Sequence, residues 1–277
     1  LELSSAASDV YKRQMESLNK MTVVVKDNGF GIKNIIINEP KTYNSLSFKT
    51  LKMLIHTFKR LESDNKTRVI ILSGNGKGFS AGHNLREVKN LKVRSKYLKL
   101  FNLCSKLMLN IVEGRKPVIA KVHGSAFAAG CQLAASCDLA YASTDAKFAT
   151  PGVNIGLFCS TPMVAVSRKI GKKRMMKMLL TGEPINARYA KEIGLINDCF
   201  PKNKLNSKVL EVAKVISAKS NLSIKIGKKA FYKQLEMPLK KAYAYTSKMM
   251  TLNMMSMDAR EGISAFLEKR KPNWKNK

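Results

Sequence analysis

Two short stretches of this sequence consist largely of small residues and could offer bare main-chain amides to a ligand. They are Gly78-Phe79-Ser80-Ala81-Gly82-His83-Asn84-Leu85 and His123-Gly124-Ser125-Ala126-Phe127-Ala128-Ala129-Gly130-Cys131. Each follows an apolar run that reads as a strand. Small side chains let a ligand reach the peptide N–H groups, and the second stretch opens a helical pattern whose N-terminus carries free donors and a positive partial charge. Two such turns aimed at one point would form an oxyanion hole. The same composition also suits close packing of a helix on its neighbours, with no ligand involved.

Other reactive patterns fail on spacing. Gly76-Lys77 lacks the preceding Gly and following Ser or Thr of a phosphate loop, since Ile71 and Gly78 stand there. Gly29-x-Gly31 falls between two strand-like runs and lacks a third glycine. The five cysteines include no C-x-x-C pair, and four of them (Cys104, Cys131, Cys137 and Cys159) lie in apolar segments as small hydrophobes. A reducing compartment and no structural zinc site are expected, and three histidines make a His-rich metal centre a poor reading.

The positioning elements are legible in outline. Thr22 to Val25 and Lys33 to Asn38 are β-branched runs joined through Asp27-Asn28-Gly29, which predicts a hairpin. Leu51, Leu54, Ile55, Phe58 and Leu61 recur at helical spacing between Ser47 and Glu62, with His56 on the polar face. Val69 to Leu72, Pro117 to Val122 and Asp138 to Tyr141 read as buried strands, with helices near Lys96 to Val112 and over Ala126 to Ala135. Beyond Pro162 the pattern is helical: Met163 to Ile170, Lys172 to Leu180, Ala187 to Ile193, then four amphipathic stretches from Leu205 to Lys269. Strands first and helices last predict one α/β domain, with a core over 21–204 and a helical region over 205–277. Residues 1–20 lack any periodicity joining them to the rest and read as a non-native or targeting remnant.

At 277 residues, 45% hydrophobic and 25% charged, the chain can bury a substantial core, and disordered or fibrous architectures are excluded. No apolar run approaches the roughly 18 to 20 residues of a membrane span. Fifty Lys and Arg against nineteen Asp and Glu give a net charge of +31. That field attracts polyanions, including phosphate-bearing cofactors. Its lysines are scattered and not interleaved with aromatics, so nucleic acid is an unlikely partner.

Asn38-Glu39-Pro40-Lys41-Thr42-Tyr43-Asn44-Ser45-Leu46, Gly78 to Gly82, Pro117 to Gly124, and Thr181-Gly182-Glu183-Pro184-Ile185 with Ala187 and Gly194-Leu195 resemble, in that order, the crotonase (enoyl-CoA hydratase/isomerase) superfamily. The stretch Ala128 to Thr161 is most similar to a mitochondrial branch of it. The resemblance implies an α/β fold built as a spiral of ββα turns with a helical C-terminal trimerisation region. It further implies a homotrimer or hexamer, a mitochondrial location, and an acyl-CoA thioester as ligand, with no cofactor beyond the CoA moiety. On this chain the thioester oxygen would meet the amides of His83 and Ala129. CoA would be held by Lys41, Ala81, His83, Asn84, Leu85, Arg86 and Gly130.

The departure is at the proton-transfer positions. Family hydratases use two glutamates there, whereas this chain has Gln132 and Gly152. Gln holds a water but has no useful proton equilibrium, and Gly has no side chain. His83, Cys159 and Ser160 lie in segments expected to border the acyl pocket, and only His83 has an ordinary pKa near neutrality. Its side chain could equally point toward CoA or solvent. Asp138 reads as a strand-entry anchor, and Trp274 is unassigned. The leading expectation is an acyl-CoA enzyme of lipid metabolism that stabilises a thioester enolate without the two-glutamate mechanism, such as a lyase or decarboxylase. A non-catalytic acyl-CoA-binding protein is the alternative.

Overall fold

The computed structural model describes residues 21–277. The remnant expected over 1–20 lies outside the described residues. In chain order the elements are β1 (Val23–Asp27), β2 (Ile32–Ile37), α1 (Phe48–Ser63), β3 (Val69–Gly74), α2 (Leu85–Asn90), α3 (Arg94–Val112), β4 (Val118–Val122), β5 (Ser125–Phe127), α4 (Ala129–Ser136), β6 (Leu139–Ser143) and β7 (Lys147–Ala149). There follow α5 (Ser160–Val166), α6 (Lys172–Thr181), β8 (Ile185–Asn186), α7 (Ala187–Glu192), β9 (Asp198–Phe200), α8 (Lys202–Ser217), α9 (Asn221–Gln234), α10 (Leu239–Met254) and α11 (Met257–Leu267).

The predicted hairpin forms, with Val23 opposite Ile37, and Ser47 caps α1 by accepting from the Thr50 amide. The larger sheet runs β1-β2-β3-β4-β6-β9, parallel from β2 onward. The smaller is β5-β7-β8. Ser80 extends the small sheet by bridging to Ala126, and Leu46 bridges to His83. Three successive turns of chain therefore repeat one form. A long strand in the first sheet (β3, β4, β6) leads into a short extended piece in the second wall (Ser80, β5, β7).

Apolar runs form the middle strands because both faces of the large sheet are covered. Ile70 and Leu72 face the main core with Leu51, Leu54, Leu100 and Leu107, while Val69 and Ile71 face a second cluster with Leu205, Val209 and Ala213 of α8. Successive strand side chains point to opposite faces, so one run serves two layers. Helix α8 thus closes the second face of the sheet and packs with the core strands. The boundary expected at 204/205 falls inside that helix.

Several expected boundaries move. The helix expected over Ala126 to Ala135 begins at Ala129, because Ser125 to Phe127 form β5. The helix expected from Met163 starts at Ser160 and ends at Val166. Leu85 and Arg86, expected in a ligand loop, open α2. The order of strands first and helices last is broken by β8 and β9, two- and three-residue strands set between helices. Such short strands carry no periodicity to read, and the ladder around them specifies their form.

Asp138 is an anchor as expected. Its Oδ2 accepts from the Val118 amide and from Lys228 Nζ, each at 2.7 Å, and its Oδ1 accepts from the Tyr232 hydroxyl at 2.9 Å. Lys228 Nζ also donates to the carbonyls of Ile111 and Lys116, which ties α9 to the core. Trp274 lies against Gly262 and donates to the Ala218 carbonyl. No helix among the described residues is long and apolar enough to cross a membrane.

Candidate functional site

The two small-residue turns occupy neighbouring rungs of the second wall and touch. A Cβ on Gly82 would lie 2.9 Å from the Phe127 carbonyl oxygen and 3.1 Å from the Ala129 nitrogen. Gly82 also has φ +91°, a conformation that favours glycine. The Ala129 amide therefore lies beside the Gly82–His83 peptide. Among the described residues, neither the His83 nor the Ala129 amide donates to a protein acceptor.

Asn44, which the sequence did not single out, shapes the first turn. It is fully buried, donates from Nδ2 to the carbonyls of Asn75 and Gly78, and accepts from the Ser80 hydroxyl at its own carbonyl. Its own φ of 56° is one that Asn tolerates better than most residues, so the residue type is the signal that the sequence carries. The second turn is set by Ala128 at φ 49°, ψ −117°, outside the regions an L-residue favours. This conformation directly precedes the free amide at the start of α4. Backbone strain of this kind costs about 1 to 3 kcal/mol and persists where the surroundings over-determine it. Here the Ala128 amide is held by the Ala149 carbonyl at 2.9 Å, and the Phe127 amide by the Ser80 carbonyl at 2.9 Å.

The expected CoA contacts divide. Lys41 is exposed on the turn Pro40–Thr42, and the Ala81 amide donates to the Tyr43 carbonyl, so this turn adjoins the first small-residue stretch. Leu85 and Arg86 are exposed on α2. Asn84 has another task, because its Oδ1 caps α2 by accepting from the amides of Arg86 and Glu87. Gly130 is packed against the first turn, with its Cβ position 2.1 Å from the Ser80 carbonyl oxygen. It has no room to face a ligand with any side chain.

Around the turns, α4 contributes Gln132, which is buried, and its Oε1 lies 3.9 Å from Cys104 Sγ of α3. At Gly152 a Cβ would meet the Leu157 carbonyl oxygen at 2.8 Å and Cys159 Sγ at 2.9 Å. The thiol and a neighbouring carbonyl fill the space that a side chain at 152 would need. Burial pushes the Cys104 and Cys131 thiols up to about 12 and raises Cys159, against a hydrogen bond from the Gly152 amide. Ser160 is exposed at the head of α5.

The His83 ring turns inward. Its Nδ1 lies 3.2 Å from the Leu46 carbonyl oxygen, and its plane meets the Phe101 ring edge-on at 5.6 Å. Burial lowers its pKa below the ordinary value, with the Leu46 carbonyl and the Glu87 carboxylate opposing. Phe101 and Cys104 lie three apart on α3, so one helical face covers both His83 and Gln132.

The model of the enoyl-CoA hydratase/isomerase family matches residues 27–277. The chain belongs to that family. It is 46% identical over 244 residues to human enoyl-CoA hydratase domain-containing protein 3, mitochondrial, covering 88% of this chain and 80% of the relative. It is 33% identical over 256 residues to the mitochondrial enoyl-CoA hydratase of Pongo abelii, covering 91% and 85%. The crystal structure of an enoyl-CoA hydratase from Mycobacterium smegmatis superposes with TM-score 0.90 at 43% identity, covering 92% of this chain and 99% of that one. That of human enoyl-CoA hydratase domain-containing protein 3 gives 0.89 at 44% identity, covering 92% and 100%. The spiral of repeated turns is thus the crotonase fold, and the chain belongs among acyl-CoA-processing proteins.

Proposed function

We propose that this protein binds acyl-CoA thioesters with the thioester oxygen between the amides of His83 and Ala129, and that it stabilises the enolate form of the bound thioester. The observation that carries this reading is the pair of undonated amides in two turns held in contact. Donors fixed in advance where charge develops need no reorganisation, and one such donor is worth about 3 to 4 kcal/mol in the transition state. Exposed Lys41, Ala81, Leu85 and Arg86 then flank the path of CoA, and the net charge of +31 draws in its phosphates.

Hydration by two carboxylates is not the chemistry proposed. Gln132 and Gly152 stand at the positions matched to the family's glutamates, and Cys159 fills the room at the second. Reactions that make an enolate without a carboxylate base fit better. Loss of CO₂ from a malonyl-type thioester leaves its electron pair on Cα, where the two amides stabilise it as the enolate. The neutral character of Gln132 favours a second reading, an acyl-CoA-binding protein without turnover.

Incubation of the purified chain with crotonyl-CoA and malonyl-type thioesters, with products read by mass, separates these. Turnover of any thioester supports the enzyme, tight binding without turnover supports the second reading, and no binding removes both. A homotrimer or hexamer is part of the proposal, supported by exposed Leu239, Tyr243, Met250, Met255 and Phe266 on and beside α10 and α11, and light scattering tests it. A mitochondrial location is also part of the proposal, supported by the names of the relatives, and is tested by imaging the tagged natural protein.

A further inference from the structure

We infer that His83 acts twice at this site, lending its amide to the thioester oxygen and using its Nε2 as the base that removes a proton from the acyl Cα. The inference rests on the thioester reading above and adds a base to it. Nε2 is buried and has no hydrogen-bond partner among the described residues. A carbonyl oxygen can only accept, so the contact of Nδ1 with the Leu46 carbonyl puts the proton of the neutral ring on Nδ1. Nε2 is left as a lone pair. An unsatisfied buried acceptor costs about 1 to 3 kcal/mol, and buried polar groups in native proteins are otherwise paired. The residue carrying this orphan is also the one whose amide is free, so both groups are tethered to one peptide.

The surroundings suit a base. Phe101 packs edge-on against the ring, and burial lowers its pKa, which favours the neutral form. Glu87 of α2 is the charged group that acts on it against burial; it is itself held by the Phe48 amide. The two positions matched to the family's glutamates hold a glutamine and a glycine, and burial pushes the thiols of Cys104 and Cys131 up to about 12. In the step itself, the Cα–H bond breaks and its electron pair becomes the enolate C=C. The charge passes to the thioester oxygen between the two amides, and the proton bonds to Nε2 to give an imidazolium whose Nδ1–H remains on Leu46. The reverse step returns the proton to Cα.

The test is exchange of the Cα hydrogens of butyryl-CoA in D₂O, followed by mass, with binding measured calorimetrically on the same samples. His83→Asn keeps the main-chain amide and a donor for the Leu46 carbonyl and deletes Nε2. Expected are binding within about threefold of the parent and exchange slowed by at least about a hundredfold, the usual scale of one proton-transfer group. The parent's exchange rate should rise with pH through one ionisation below the ordinary histidine value and then level, an inflection absent from the variant. Unchanged exchange in His83→Asn, or a parent that binds the thioester without exchange, overturns the inference while leaving the binding reading standing. A parent that does not bind butyryl-CoA overturns both.

Discussion

The Cβ position of Gly130 lies 2.1 Å from the carbonyl oxygen of Ser80, well inside any tolerable contact. The two turns of the site are therefore joined at a point that admits no side chain, and the joint fixes where the Ala129 amide sits.

Gly130→Ala forces the turns apart. A loss of about 2 to 3 kcal/mol is expected, as for overpacking in a rigid setting. Thermal unfolding reads the stability, and acyl-CoA titration of the folded fraction should show binding weakened or lost. Unchanged affinity would separate the two amides from the ligand.

Ala128→Gly tests the strained turn from the other side. Glycine adopts φ 49°, ψ −117° without a Cβ penalty, which offsets its greater freedom in the unfolded chain. The expected outcome is a neutral or higher melting temperature with acyl-CoA affinity retained. A clear drop in melting temperature would show that Ala128 is unstrained.

A glutamate introduced at position 152 alone should pack poorly. In Gly152→Glu the new Cβ meets Cys159 Sγ and the Leu157 carbonyl, at an expected cost of about 2 to 3 kcal/mol by overpacking. Adding Cys159→Ala should recover about 1 kcal/mol of this by removing the thiol from that space. Denaturant unfolding of the two single variants and the double variant measures the coupling, and strict additivity would show that the thiol is not the obstacle.

Gln132→Glu places a carboxyl group at a buried site beside the Cys104 thiol, with no cation paired to it among the described residues. Burial without a cation raises its folded-state pKa above the unfolded value of about 4.3. Relative to the parent, the variant should therefore be nearly as stable at low pH. It should lose stability as pH rises from about 4.3 through its raised pKa, with the deficit constant above that. Unfolding free energies of both proteins across that range check the sign, and a deficit that shrinks as pH rises would contradict it.

Lys228 carries the attachment of α9. Its side chain is 6% exposed and donates to Asp138 and to the carbonyls of Ile111 and Lys116. Lys228→Met leaves a largely buried carboxylate without its cation, and such a break costs about 3 to 5 kcal/mol. Hydrogen exchange should show α9 opening ahead of the sheet, and protection equal to the parent would assign the anchoring elsewhere.

The sequence by itself determined the α/β class, the opening hairpin, the buried strands Val69 to Leu72 and Pro117 to Val122, and the four C-terminal helices. In the helices the hydrophobic period is long enough to specify one structure, and the strands are short apolar runs rich in β-branched residues. It also marked both amide-bearing turns, since runs of Gly, Ala and Ser after a strand leave little else for the backbone to do. Tertiary structure alone decided the short strands β5, β7, β8 and β9, whose form comes from neighbours in a ladder. It alone put Asn44 behind the first turn, Cys159 in the space at Gly152, and the His83 ring against Leu46 and Phe101. The relations of Asn44 and His83 join residues distant along the chain, and no local pattern of residue types encodes which atoms a folded backbone will bring within 3 or 4 Å of each other.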